Sequence, residues 1–188
     1  MNIFGKRIKL RAIEEKDCSL MQTWANDPYI QRMLGGWHFP VSSQDQNKWI
    51  ASLNCNSLNQ RFIIELIETK KIIGYSNLVS IDWKNRNAFT GLLIGDSNYR
   101  NQGLGSESVM TLMKYAFDEL GMHNLDTDII EYNSPSLKTY VDKCGWTIQG
   151  TKKNWYFRNG KRWNKVFLGI NYEEYKNLIK INKYWDKE

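Results

Sequence analysis

The spacing of apolar residues predicts short helices and then a strand meander in the first half of the chain. Residues 8–11 read as a strand, and Leu20, Met21 and Trp24 follow at helical spacing behind Asp17, a residue type that caps helices. Ser43 and Gln46 form a capping box ahead of the apolar stripe Trp49, Ile50 and Leu53. Residues 61–67 and 72–79 are rich in β-branched side chains and flank the polar turn 68–71, which predicts a hairpin. Residues 88–94 add a third strand.

The rhythm changes in the second half. Val109, Leu112, Met113, Ala116, Phe117 and Leu120 recur at helical spacing, and Gly121 stands where a helix is terminated. A strand at 125–130 follows. Ser134 and Pro135 then open a helix as cap and first residue, with Leu137, Tyr140, Val141 and Cys144 on one face and Gly145 at its end. Residues 146–156 and 163–170 read as strands joined through Asn159-Gly160, a strong hairpin signal, and 173–181 as a terminal helix. The order β-α-α-β-β-β-α-β-α-β-β predicts a mixed α/β (α+β) fold. With no repeat and no linker, residues 1–188 are expected to form one domain.

Composition narrows the function classes. The chain has 188 residues, 41% hydrophobic and 24% charged, which suits a folded domain with a core of its own. No apolar run reaches the ~18–20 residues of a membrane span, and the first residues lack a signal-peptide pattern. Cys18, Cys55 and Cys144 have no metal or disulfide spacing, and the histidines are His38 and His123 alone. These features predict a cytoplasmic protein without a metal site or membrane partner. The net charge of +6 is concentrated between residues 138 and 165, where Lys138, Lys143, Lys152, Lys153, Arg158, Lys161, Arg162 and Lys165 face only Asp142. Such a patch suits nucleic acid, an anionic cofactor or solvent. No nucleic-acid motif accompanies it, so no nucleic-acid partner is expected.

The segment 96–107, D-S-N-Y-R-N-Q-G-L-G-S-E, places Gly103 and Gly105 between a strand and a long helix. Glycines permit close approach of a ligand, and free amides at a helix start favour phosphate. The segment lacks the lysine of a GxxxxGK[ST] loop, and Ser108 occupies the third glycine position of GxGxxG.

Arg100-Asn101-Gln102-Gly103-Leu104-Gly105 resembles the Q/R-x-x-G-x-G/A motif of the GNAT superfamily of acyl-CoA-dependent N-acetyltransferases. The resemblance extends to Ile8-Lys9-Leu10-Arg11-Ala12, to Trp24-Ala25-Asn26-Asp27-Pro28, and to Asn133 through Tyr140 to Gly145-Trp146. It is nearest to the branch of ribosomal-protein alanine/serine N-terminal acetyltransferases and diamine acetyltransferases. It implies a mostly antiparallel central sheet with flanking helices, acetyl-CoA as cofactor, and a small-molecule amine or a protein N-terminus as acceptor. Dimers are common in that branch, so a homodimer is implied as a possibility.

Residue by residue, the resemblance implies that Gln102, Gly103, Leu104, Gly105 and Ser106 hold the pyrophosphate through their amides. Arg100 and Asn101 open that loop. The backbone of Leu92, Leu93 and Ile94 is expected to pair with the pantetheine arm. Asn133 is expected to hydrogen-bond the cofactor, and Lys138 or Lys143 to meet its 3′-phosphate. Tyr140 is the implied general acid for the departing thiolate, a role worth about 10²–10⁴-fold. Asp128 is the first candidate for general base, with Glu65 and Glu131 as rivals. Trp37, His38, Trp83 and Trp155 offer aromatic surface for the acceptor. The positive charge argues against a polyamine, which favours an acidic mouth. The alternative is a non-catalytic acyl-CoA-binding module on the same fold, in which Tyr140 only packs.

Overall fold

The computed structural model describes residues 1–36 and 39–186. In chain order its strands are β1 (Ile3–Phe4), β2 (Ile8–Ala12), β3 (Gln60–Leu66), β4 (Ile72–Asp82), β5 (Asn87–Ile94), β6 (Asn124–Ile130), β7 (Thr147–Arg158) and β8 (Lys161–Asn171). They form a continuous sheet in the order β1-β2-β3-β4-β5-β6-β8-β7. Neighbours run antiparallel except β5 and β6, which are parallel. The mixed, mostly antiparallel architecture expected from the sequence is therefore the one observed.

Alternation along the strands divides the core between the two faces of the sheet. Ile64, Leu78 and Leu92 point toward α4 (Leu104–Lys114), α5 (Ser134–Leu137) and α6 (Tyr172–Asn182), where Met110, Met113, Trp146 and Tyr175 complete the larger cluster. Their sequence neighbours Ile63 and Leu93 point the other way. There they meet Met21 and Trp24 of α1 (Cys18–Ala25), Ile30 of α2 (Pro28–Met33) and Trp49 of α3 (Ser43–Ala51).

Local chemistry explains most boundaries and corrects several. Gly121 and Gly145 take positive φ just after helical segments, as expected, and Asn159 and Gly160 both do so in the β7–β8 turn. The helix caps are shifted by one residue. Ser42, not Ser43, accepts the Asp45 amide, and Asn133, not Ser134, accepts the Ser136 amide. An N-cap residue keeps extended backbone while its oxygen reaches the amide three residues on, so the preceding polar residue takes the role. Asp17 does not cap α1 with its side chain: its carboxylate pairs with Arg11 and accepts the Glu14 amide, as part of a capping box on the single turn Glu15–Asp17. Apolar spacing does not predict α2. Its signal was Asp27 before Pro28, with the Asp27 carboxylate accepting the amides of Tyr29 and Ile30.

Candidate active site

The sheet forks between its two parallel strands. β5 and β6 pair only from Asn87↔Asn124 to Phe89↔Asp126, although β5 runs on to Ile94 and β6 to Ile130. The Thr127 hydroxyl donates to the Thr90 carbonyl at 2.8 Å and closes the crotch. Beyond it, Leu92, Leu93 and Ile94 remain paired with β4 on one edge, while the β6 edge has no strand partner. Unpaired backbone there can take an extended ligand as an added strand. The gap opens into a cavity of about 820 Å³ between the sheet and α1–α3.

At one end of the fork lies the glycine loop. Asn101 and Gly103 both have left-handed backbone, and Gly103 precedes α4 without supplying a side-chain cap. The first amides of α4 thus have no side-chain acceptor, the arrangement a phosphate can satisfy. At Gly105 an added Cβ would meet only ordinary contacts with Leu92, Ile94 and Thr139, so packing does not demand this glycine. Close approach of a ligand explains it better. These features fit a CoA pyrophosphate. Lys138 and Lys143 are exposed on the wide π-helical turns that continue α5, beside Thr139 and hence beside Gly105.

Two residues carried over from the motif have their side chains occupied within the protein. Arg100 donates from Nε to the Ile94 carbonyl at 3.1 Å and from Nη2 to the Gly95 carbonyl at 3.0 Å, and its guanidinium stacks on Tyr29. It braces the end of β5 against the loop. Asn133 caps α5 and donates from Nδ2 to the Met33 carbonyl at 3.0 Å, joining the two walls of the cavity.

Tyr140 lines the cavity from the wide turn after α5. Its ring packs edge-on against Trp146 with centroids 5.0 Å apart. Burial pushes its hydroxyl well above the usual tyrosine range, against the opposing effect of hydrogen bonding with Thr90 and Thr127. It is fully protonated at neutral pH, the state a general acid requires. Cys144 is also buried, its thiol pushed up to about 12 by desolvation, and points to the Ser106 carbonyl rather than to the cavity.

Asp128 lines the opposite side of the fork. Its Oδ2 accepts from the Tyr156 hydroxyl at 2.6 Å and its Oδ1 from Lys165 Nζ at 2.8 Å. Glu65 does not line the cavity. It is paired with Lys9 and Arg11 in a buried network. Glu131 accepts from the Asn164 amide at 2.6 Å and Nδ2 at 2.9 Å, a tie between β6 and β8.

Two of the aromatic residues expected to meet the acceptor, Trp83 and Trp155, lie away from the cavity. Trp83 sits half-exposed in the β4–β5 turn, and Trp155 is exposed on β7 beneath Lys152, whose Nζ lies 3.6 Å from the ring centroid. Neither lines the cavity, because a turn tip and an outward strand position take each away from the fork. Trp37 and His38 lie outside the described residues. The walls are instead Met21, Trp24, Trp49 and Tyr75, with Asn77, Tyr156 and Lys165 as polar members. Trp49 was legible as the inner face of a helix. Lys165 was legible only as a member of the basic patch, and Asn77 had no sequence signal.

A forked sheet with a glycine-rich helix start beside the gap defines an acyl-CoA-dependent acyltransferase. Residues 7–147 match the acetyltransferase (GNAT) domain family, and the chain belongs to it: it is an N-acetyltransferase that uses acetyl-CoA. The SPbeta prophage-derived uncharacterized N-acetyltransferase YokL of Bacillus subtilis is 25% identical over 91% of this chain and 93% of its own. The uncharacterized N-acetyltransferase p20 of Bacillus licheniformis is 28% identical over 72% and 77%. In structure, the spermidine N-acetyltransferase of Vibrio cholerae in complex with CoA and spermine superposes with a TM-score of 0.83 at 20% identity, covering 91% of this chain and 99% of that one. A GNAT-family acetyltransferase of Bacillus anthracis gives 0.78 at 21% identity, covering 92% and 99%.

Proposed function

We propose that this enzyme acetylates the primary amine of a small molecule by direct attack in a ternary complex, with Tyr140 as general acid and Asp128 as base. The observation that carries the reading is the fork itself, which opens one cavity to Tyr140 from one wall and to Asp128 from the other. Acetyl-CoA supplies an activated acetyl group and a thiolate leaving group. The amides of Gly103 to Ser106 hold its pyrophosphate, the free edge of Leu92–Ile94 takes its arm, and Lys138 or Lys143 meets the outer phosphate. An amine with pKa ~10 arrives protonated at neutral pH, so a carboxylate must take that proton. Of the three candidate carboxylates Asp128 lines the cavity, whereas Glu65 and Glu131 do not. Tyr140 holds its proton until the thiolate needs it.

A protein N-terminus is a second acceptor of the same chemistry. The spermine in the Vibrio cholerae complex makes a polyamine a third. No helix among the described residues is long and apolar enough to cross a membrane. The free state of Cys18, Cys55 and Cys144 supports a cytoplasmic, reducing location. One domain over 1–188 and a homodimer complete the proposal. Release of CoA from acetyl-CoA with amine acceptors tests it. Turnover that falls in both Tyr140→Phe and Asp128→Asn supports the roles, and turnover unchanged in Tyr140→Phe returns that tyrosine to a packing role.

A further inference from the structure

The acceptor side of the cavity carries one polar feature that the fold does not use. Asn77 lies on β4 opposite Gly91 of β5, and its amide rests on that glycine. A Cβ at position 91 would come within 3.0 Å of both amide heteroatoms, so the glycine makes room for the asparagine. Oδ1 of Asn77 is enclosed and has no hydrogen-bond partner. An unmet amide oxygen in an apolar setting is costly and calls for a donor. The terminal torsion of asparagine is broad and two-fold, so the oxygen can turn toward the cavity.

The register places this amide opposite the fork's carboxylate. Continuing the β5–β6 pairing two residues past Phe89↔Asp126 would set Gly91 against Asp128, in one row with Asn77. The fork replaces that pairing with open space, leaving Asn77 and Asp128 on the same face across the gap. Around them the walls are Met21, Trp24, Ile30, Trp49, Tyr75 and Leu93. Among the described lining residues the carboxylates are Asp45 and Asp128. Asp128 is paired with Lys165, and Asp45 lies exposed and accepts from the Ser42 hydroxyl.

We infer that Asn77 is the specificity residue for the acceptor, and that the acceptor is a primary monoamine on an apolar body, aromatic or branched aliphatic. The inference rests on the acetyltransferase reading above and names its substrate class. The amide oxygen receives an amine N–H between Asp128 and the bound thioester, and the apolar body covers Trp24, Trp49 and Tyr75. A polyamine placed here would bury further ammonium groups against aromatic and aliphatic walls and beside the Lys165 cation, with the exposed Asp45 as the one carboxylate among the described lining residues that no cation holds.

The test measures CoA release by the full chain with phenethylamine, isoamylamine, spermidine and a short peptide with a free N-terminus, alongside thermal unfolding with acetyl-CoA. The expected result is a kcat/KM for the two monoamines about 100-fold above that for spermidine. In Asn77→Leu the KM for phenethylamine rises about tenfold or more while the acetyl-CoA shift is kept, and Asn77→Asp, which restores an acceptor oxygen, recovers it. Preference for spermidine or the peptide overturns the inference and leaves the acetyltransferase reading standing. So does an unchanged amine KM in Asn77→Leu, or acetyl-CoA stabilisation with none of the monoamines turned over. Absence of both stabilisation and turnover overturns both readings.

Discussion

Glu107, in the first turn of α4, is joined to Arg7 across 100 residues of chain: its Oε2 accepts from Arg7 Nε at 2.8 Å. Its Oε1 accepts the backbone amides of Arg7 and Ile8, the latter at 3.1 Å, so one buried carboxylate caps the start of β2 and ties it to the first turn of α4. Arg7 also donates from Nη1 to the Gln102 carbonyl at 3.2 Å, inside the glycine loop. Nothing local in the chain marks Arg7, yet it is a strut of the glycine loop.

Replacing Glu107 by Ala leaves those two amides without an acceptor, at about 1–3 kcal/mol each. With ~2–4 °C of Tm per kcal/mol for a chain this size, the midpoint should fall by roughly 4–24 °C in a calorimetric scan. Arg7→Ala should cost much less stability, since its guanidinium is more than half exposed. Its signature is a several-fold rise in KM for acetyl-CoA with kcat nearly kept.

Tyr140→Phe removes the hydroxyl but keeps the ring that packs on Trp146. Loss of a placed acid should lower kcat by about 10²–10⁴-fold. Stabilisation by acetyl-CoA should survive, because the pyrophosphate loop is untouched. Steady-state kinetics and thermal unfolding on one preparation separate the two effects.

Acetyl-CoA at about 100 times its Kd should stabilise the protein by ~2.7 kcal/mol, a shift of roughly 5–10 °C. Gly103→Glu should abolish the shift. It puts a side chain where φ is +77° and a negative charge where the proposed function places the pyrophosphate.

Arg11 holds both Asp17 and Glu65, donating at 2.7 and 2.6 Å. Burial works against the two carboxylates, but the hydrogen bonds outweigh it: those of Arg11 and the Glu14 amide on Asp17, those of Lys9 and Arg11 on Glu65. Both pKa values fall below the ordinary range. The unfolded chain therefore binds these protons more readily than the native one. The stabilisation is present above pH ~4 and is lost as pH falls through the lowered values. Tm measured from pH 6 to pH 3 should drop steeply below about pH 4.5, and the drop should be shallower in Asp17→Asn from a lower starting Tm.

Much of the site was legible where its chemistry is local. The left-handed backbone at Gly103, the helix start after it and Tyr140 on the apolar face of the following helix all depend on residues within a turn or two. A tryptophan's type says nothing about which face or turn tip it occupies. Trp83 and Trp155 went outward, while Tyr75 turned inward by strand parity. Asn133 carries the motif, yet its amide is committed to Ser136 and Met33, partners that the motif cannot show.

The sequence by itself determined most of the elements, the left-handed glycine loop before α4 and the place of Tyr140 after α5, since capping, periodicity and positive φ act over a few residues. Only the tertiary structure decided where β5 and β6 part and which side chains face each other across the gap. That point is set by Thr90, Thr127 and Tyr140 meeting in one place. The pairing of Asn77 with Gly91, and of Asp128 with Lys165 and Tyr156, follows from strand register, which brings distant residues together by packing rather than by proximity in the chain.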